Sequence, residues 1–86
     1  MKLKELRKQI DAVDDEILRL FEARQELSEA IGACKQEEGL PVLDEKRQAE
    51  KLAELCEKAA PENRVAAEQL FTELMALSRA RQEGLL

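Results

Sequence analysis

The feature that most constrains this chain is an apolar pattern that alternates every three and four residues over its first third. The residues are Leu3, Leu6, Ile10, Val13, Ile17, Leu20, Leu27, Ile31 and Cys34. No glycine or proline interrupts the pattern until Gly39, apart from Gly32. Such spacing predicts one long amphipathic helix. A helix of about 33 residues is about 50 Å long, far longer than so small a protein is wide, so its apolar stripe needs cover along the whole length.

Two turn signals divide the rest of the chain. The segment GLPVLD begins at Gly39, which suits a helix C-terminus, and ends at Asp44, which can cap a following helix. A second helix is predicted from about Asp44 to Ala59. The segment APEN then turns the chain, because Pro61 fits a first helical turn. A third helix is predicted from about Glu62 to Glu83.

The predicted fold class is all-α, with three helices of which one is very long and two are shorter. Charged residues make up 38% of the chain, and it has neither Trp nor Tyr, a balance typical of helical proteins. We expect one domain over residues 1–86. The two shorter helices would leave much of the long stripe wet, and small domains bury little surface alone, so a second copy is the natural cover. The expected assembly is therefore an intertwined helical homodimer.

Composition and sequence also argue against several kinds of partner. A net charge of -5 with interleaved signs argues against nucleic acid, which selects a clustered basic face. The start MKLKEL lacks a signal sequence, and no apolar run approaches the about 20 residues of a membrane span, so we expect a cytoplasmic protein without membrane partners. With no His, only two Cys and no glycine-rich phosphate loop, we expect neither a metal nor a cofactor.

Two cations lie on the buried side of the long helix. Arg24 takes the apolar slot between Leu20 and Leu27. A buried guanidinium is costly unless an anion faces it, although a register-setting polar residue or a salt bridge to a Glu would also explain Arg24. Lys35 follows about three turns later on nearly the same side, so the two side chains can converge on one small anion.

Arg7 is too far from Arg24 to share a ligand with it inside one helix. Seventeen residues of helix span about 25 Å. In an antiparallel dimer Arg7 would instead reach the pocket of the partner chain. Taken singly, Arg7 and Lys35 are also explained as ordinary surface cations.

Polar side chains are also predicted on the buried sides of the other two helices. Asp44, Arg47 and Gln48 share one face of the second helix, where Asp44 is equally explained as an N-cap. On the third helix Ser78 interrupts the apolar line, and Gln82 follows one turn later. One shared pocket would satisfy all these groups together. Since no nucleophile with a neighbouring base is recognisable, the pocket suits binding, or a reaction that needs only positioning and electrostatics.

These residues, in this order and spacing, resemble the all-helical chorismate mutases, the AroQ class. The resemblance covers nearly the whole chain, through the segments LRKQIDAVDDEIL, EARQELSEAIGACK, GLPVLDEKRQ and LSRARQ. It implies an intertwined helical dimer with two active sites and no cofactor. It also implies an enzyme of phenylalanine and tyrosine biosynthesis that converts chorismate to prephenate by a pericyclic Claisen rearrangement.

The resemblance assigns carboxylate-binding roles to four residues. Arg24 and Arg47 would bind the carboxylates of the substrate within one chain. Arg7 would arrive from the other subunit, and Ser78 would add a hydrogen bond.

The remaining roles concern the breaking bond and the ring hydroxyl. Lys35 and Gln82 match the pair that approaches the ether oxygen, and they are the expected catalytic residues. Asp44 and Gln48 match the contacts to the ring hydroxyl. Many members of the family have Glu where this chain has Gln48, and an amide still hydrogen-bonds a hydroxyl without carrying charge.

Other functions fit the same pattern. Isochorismate pyruvate lyases and aminodeoxychorismate mutases resemble this fold and pocket, so a related reaction is an alternative. A non-catalytic helical dimerisation or regulatory module is a further alternative, and fusion to another aromatic-pathway enzyme is possible. The polar residues on the buried faces argue against a module without a ligand.

Overall fold

The computed structural model describes residues 2–85, and these fold into three α-helices. Helix α1 spans Leu3–Glu38, α2 spans Glu45–Lys58, and α3 spans Arg64–Gln82, with a 3₁₀ turn at Pro61–Asn63 before α3. The described residues include no strand. The prediction of an all-α fold with one very long and two shorter helices is confirmed.

Helix α1 ends where its glycine permits a left-handed backbone. Gly39 has φ of 68°, a conformation that costs glycine little because it has no Cβ. Its N–H donates to the Gln36 carbonyl at 3.3 Å, and the Leu40 N–H donates to the Lys35 carbonyl at 2.8 Å. These two bonds form a Schellman motif, which satisfies carbonyls that the last turn of a helix leaves free.

The start of α2 has the expected side-chain cap. Asp44 Oδ1 accepts a hydrogen bond from the Arg47 backbone N–H at 3.0 Å. The third helix differs slightly from its prediction, because Pro61 opens a 3₁₀ turn in which the Asn63 N–H bonds the Ala60 carbonyl at 2.8 Å. The regular α-helix therefore begins only at Arg64.

Helix α3 packs against both α1 and α2, but the apolar side chains along the N-terminal half of α1 stay exposed. The described chain measures 54 × 25 × 16 Å, so α1 spans its full length. Apolar side chains of that half are between 46% and 60% exposed: Leu3, Leu6, Ile10, Val13, Ile17 and Leu20. Within residues 2–85, no helix combines the length and the hydropathy that crossing a membrane requires.

Candidate functional site

A cavity of about 340 Å³ lies between the C-terminal half of α1, the α1–α2 connection, the start of α2 and the end of α3. Its lining consists of Arg24, Ile31, Lys35, Val42, Leu43, Asp44, Arg47, Gln48, Lys51, Met75, Ser78, Arg79 and Gln82. The structure thus brings together seven of the eight residues that the sequence analysis selected. The volume is within the range of small-molecule sites.

The cavity is strongly cationic although the chain as a whole is acidic. Its lining holds five Lys or Arg side chains and a single carboxylate, that of Asp44, whereas the net charge of the chain is -5. A concave site lined by one sign of charge concentrates ligands of the opposite sign. The arrangement therefore suits a small molecule that carries more than one negative charge.

Arg24 is half-buried and held by the backbone of α3. Its NH1 donates to the Leu74 carbonyl at 3.0 Å, and burial lowers the pKa of Arg24 below its usual value. Arginine nevertheless stays protonated in proteins. None of the ion pairs among residues 2–85 includes Arg24, so a salt bridge to a Glu does not explain its position. Its remaining N–H groups are available to an anion.

Lys35 and Gln82 form a pair of donors at one end of the cavity. Lys35 Nζ donates to Gln82 Oε1 at 2.9 Å and to the Val42 carbonyl at 2.5 Å. An ammonium group has three donors, so one N–H remains for a ligand. The carbonyl end of Gln82 is occupied by Lys35, and its Nε2 donates to Ser78 Oγ at 3.1 Å, which leaves the second N–H of the amide.

A chain of hydrogen bonds runs from Gln82 through two serines to α1. Ser28 Oγ donates to the Arg24 carbonyl at 2.9 Å and lies 2.6 Å from Ser78 Oγ. A hydroxyl has one hydrogen, so Ser78 must donate to Ser28 in this arrangement. For Ser78 to bond a ligand carboxylate as the resemblance implies, Ser28 has to turn its hydrogen from Arg24 to Ser78.

Ser28 is only 3% exposed, although the apolar pattern gave no sign of it. Ser28 lies one helical turn after Arg24, and this position on the same face of α1 was the only sequence feature that could have identified it as a site residue. A small polar residue on a helix, with no break in an apolar line to mark it, is easily overlooked.

The other end of the cavity brings α2 and α3 together through side chains. Gln48 Oε1 accepts a hydrogen bond from Arg79 NH1, and both residues are half-buried. Asp44 and Arg47 stand beside them in the lining. Arg79 and Lys51 were not recognisable from sequence, because a cation on a helix surface is ordinary and neither residue interrupts an apolar line.

The helices α1 and α3 touch through their backbones at Gly32. A Cβ atom added to Gly32 would lie 2.7 Å from the Gln82 carbonyl oxygen and 2.8 Å from Gln82 Cα. Only glycine allows this approach, because no flexible side chain is present to yield. Gly32 therefore sets the distance between α1 and the part of α3 that carries Gln82.

We expect Gly32→Ala to reduce both stability and the function of Gln82. Pushing two backbones apart costs about 1–3 kcal/mol, and the better helix propensity of alanine returns at most about 1 kcal/mol. A displacement of Gln82 by about 1 Å lowers turnover by about a hundredfold if Gln82 contacts the reacting atoms. Thermal unfolding and steady-state kinetics measure the two effects.

Gly39→Ala is the matched control for that substitution. It also adds one methyl group, but nothing lies within 4 Å of the new Cβ, and only the left-handed φ of 68° is strained. It should lose about 1 kcal/mol of stability with turnover within about threefold of the unmodified protein. Equal losses of turnover in both variants would contradict a specific role of the Gly32 contact.

Arg7 is the one selected residue that does not line the cavity. It is exposed on the N-terminal half of α1, and α1 is continuous from there to Arg24. Seventeen residues of helix separate the two by about 25 Å, so Arg7 does not serve the pocket of its own chain. A contribution of Arg7 to the pocket of a partner chain stays a prediction.

Comparison with known proteins identifies relatives along nearly the whole chain. The family described as chorismate mutase type II matches residues 6–83. A protein of Methanocaldococcus jannaschii named chorismate mutase is 28% identical over 88 residues, covering 99% of this chain and 88% of the relative. A bifunctional chorismate mutase/prephenate dehydratase of Aquifex aeolicus is 48% identical over 48 residues, covering 56% of this chain and 13% of that relative. No solved structure gives a significant match.

Proposed function

The chain belongs to the chorismate mutase type II family, and from this premise we propose that it converts chorismate to prephenate. The observation that carries the proposal is the Lys35–Gln82 pair, which presents free N–H groups inside a cationic cavity. In the rearrangement a carbon–oxygen bond breaks as a carbon–carbon bond forms, and no proton is transferred. Such a reaction needs positioning and charge stabilisation rather than a nucleophile or a base.

The substrate is a dianion, and each of its two carboxylates would pair with a cation of the cavity. Arg24 and Arg47 line the cavity of one chain and would bind the carboxylates there. The planar guanidinium matches a carboxylate with two parallel hydrogen bonds, which fixes orientation as well as charge. Ser78 would add a bond after the Ser28 hydroxyl has turned towards it.

Lys35 and Gln82 would act on the ether oxygen. Negative charge grows on that oxygen as the carbon–oxygen bond lengthens, so donors aimed at it bind the transition state more strongly than the substrate. Lys35 offers its third N–H, and Gln82 offers the second N–H of its amide. Because each group is already held by other bonds, little reorganisation is needed at the moment of reaction.

Asp44 and Gln48 would hold the ring hydroxyl. The cap bond to the Arg47 N–H uses Oδ1 of Asp44, and the carboxylate retains acceptor capacity for the hydroxyl hydrogen. This contact would keep the ring in the conformer that brings the two reacting carbons together.

We also propose that the working form is a homodimer. The uncovered apolar residues of α1, from Leu3 to Leu20, form a stripe that a second copy of α1 would match in length and chemistry. Burying the exposed half of each aliphatic side chain is worth about 1 kcal/mol. An antiparallel arrangement would carry Arg7 into the partner's cavity, where it would supply a further cation to the substrate.

We further propose that the enzyme is cytoplasmic and that such a domain can be fused to another enzyme. Cys34 and Cys56 are both free thiols, which suits the reducing cytoplasm. The relative from Aquifex aeolicus is bifunctional by name, which supports fusion of such a domain to another enzyme of aromatic biosynthesis.

The test is to add purified protein to chorismate, follow the loss of its diene absorbance, and identify the product after acidification to phenylpyruvate. Formation of prephenate is the expected result. A folded protein that leaves chorismate unchanged, yet releases pyruvate from isochorismate, would replace the proposal by the lyase reaction. A folded protein inactive on both would favour a binding module.

A further inference from the structure

The Arg79–Gln48 bond fixes which end of the Gln48 amide remains available to a ligand. Arginine has only N–H donors, so its partner on Gln48 must be the carbonyl oxygen Oε1. The chemistry of this pair therefore determines the orientation of the amide, which atomic positions alone often leave ambiguous. The NH₂ end of Gln48 remains as the group available to a ligand.

Arg79 also keeps its positive charge beside that amide. The ion pairs among residues 2–85 do not include Arg79, and its bond to Gln48 is with a neutral group. A glutamate at position 48 would offer oxygens at both ends and would neutralise Arg79. The pair found here instead leaves an amide donor next to a cation, and both residues line the cavity.

Asp44 lines the same cavity as Gln48, and a carboxylate beside an amide NH₂ complements a hydroxyl group. A hydroxyl gives one hydrogen, which the Asp44 carboxylate accepts, and it has lone pairs, which accept from the Gln48 NH₂. A protonated amine has hydrogens but no lone pair. The N–H groups of such an amine would face the N–H groups of Gln48 without an acceptor between them, and the positive charge of Arg79 would repel the amine.

We propose that Arg79 is a positioning residue that, through Gln48, makes this pocket select a ring hydroxyl over a ring amine at the same place in the substrate. The inference rests on the proposed function, because it concerns the substrate class of the same site. Its physical basis is the strong rejection that follows when a buried hydrogen-bonding group is left without a complementary partner.

The experiment compares chorismate with its 4-amino analogue. KM is measured for chorismate, and the inhibition constant Ki is measured for the 4-amino analogue as a competitor. In Arg79→Met the Gln48 amide is free to turn its carbonyl inward, so the ratio of Ki to KM should fall about tenfold. Arg79→Lys keeps a donor for Gln48 and should stay within about threefold of the unmodified ratio.

Lys51→Met is the matched control, because Lys51 lines the same cavity and its ion pair is with Glu54 rather than with Gln48. It removes one positive charge without freeing the amide, so the ratio of Ki to KM should change by less than about threefold.

Gln48→Glu is the second test variant. It should lower the ratio of Ki to KM at least as much as Arg79→Met does, which keeps the test decisive if Arg79→Met does not fold.

Two results would overturn the inference. If Arg79→Met changes KM and Ki by the same factor, Arg79 only supports the structure. If Lys51→Met lowers the ratio as much as Arg79→Met, overall charge and not the amide sets the selectivity. Failure of the proposed function is recognisable separately, because the unmodified folded protein would then leave chorismate unchanged before any variant is compared.

Discussion

Replacing Lys35 by alanine is expected to lower kcat for chorismate by about a hundredfold to a thousandfold. The variant loses the N–H that is proposed to donate to the ether oxygen. A donor to an atom on which negative charge develops stabilises the transition state by about 3–4 kcal/mol. It also loses the bond that holds Gln82 Oε1, so the second donor is less well oriented. KM should change less than kcat, because the contact strengthens in the transition state.

The variant should remain folded, since Lys35 is only half-buried and belongs to a helix that continues on both sides of it. Circular dichroism and a thermal melt check this directly. Lys51→Met serves as control because it removes a cation from the same cavity lining without touching Gln82. A folded Lys35→Ala protein with nearly full activity would remove Lys35 from the mechanism, and an unfolded one would make it structural.

The helical architecture was predictable from sequence because local chemistry decides where these helices begin and end. The three-and-four spacing identified α1, and Gly39 stopped it where a left-handed residue was needed. Asp44 capped α2 as expected from its side chain. The 3₁₀ turn at Pro61–Asn63 was missed, because proline fits the first turn of either helix type.

Residues of the cavity could be predicted from sequence where they break an apolar pattern. They could not be predicted where their role depends on the distance between two helices. Arg24 and Ser78 each replace an apolar residue in a line that was predicted to be buried, and both line the cavity. Gly32 and Ser28 gain their importance only from the close approach of α3, which periodicity along α1 does not encode. Arg79 resembles an ordinary surface cation until its bond to Gln48 is seen.

Arg7 is the one selected residue outside the cavity, and its replacement is also expected to have a large effect on activity. We expect Arg7→Ala and Lys35→Ala to be nearly inactive when each is assayed alone. If the two proteins are unfolded together and refolded as a mixture, about half of the dimers should contain one chain of each kind. One of the two pockets in such a dimer combines an intact Lys35 with an intact Arg7 from the other chain. About a quarter of all pockets are then complete, so about a quarter of the unmodified activity should return.

The control mixture is Arg24→Ala with Lys35→Ala. Both residues line the cavity of the same chain, so every pocket of a mixed dimer lacks one of them and no activity should return. Recovery in the first mixture alone requires that Arg7 act across the interface. Sedimentation provides the accompanying measurement, because a monomer at micromolar concentration would contradict the dimer. Mixed dimers without recovered activity would instead show that Arg7 does not serve the partner's pocket, and the uncovered stripe of α1 would then explain assembly but not catalysis.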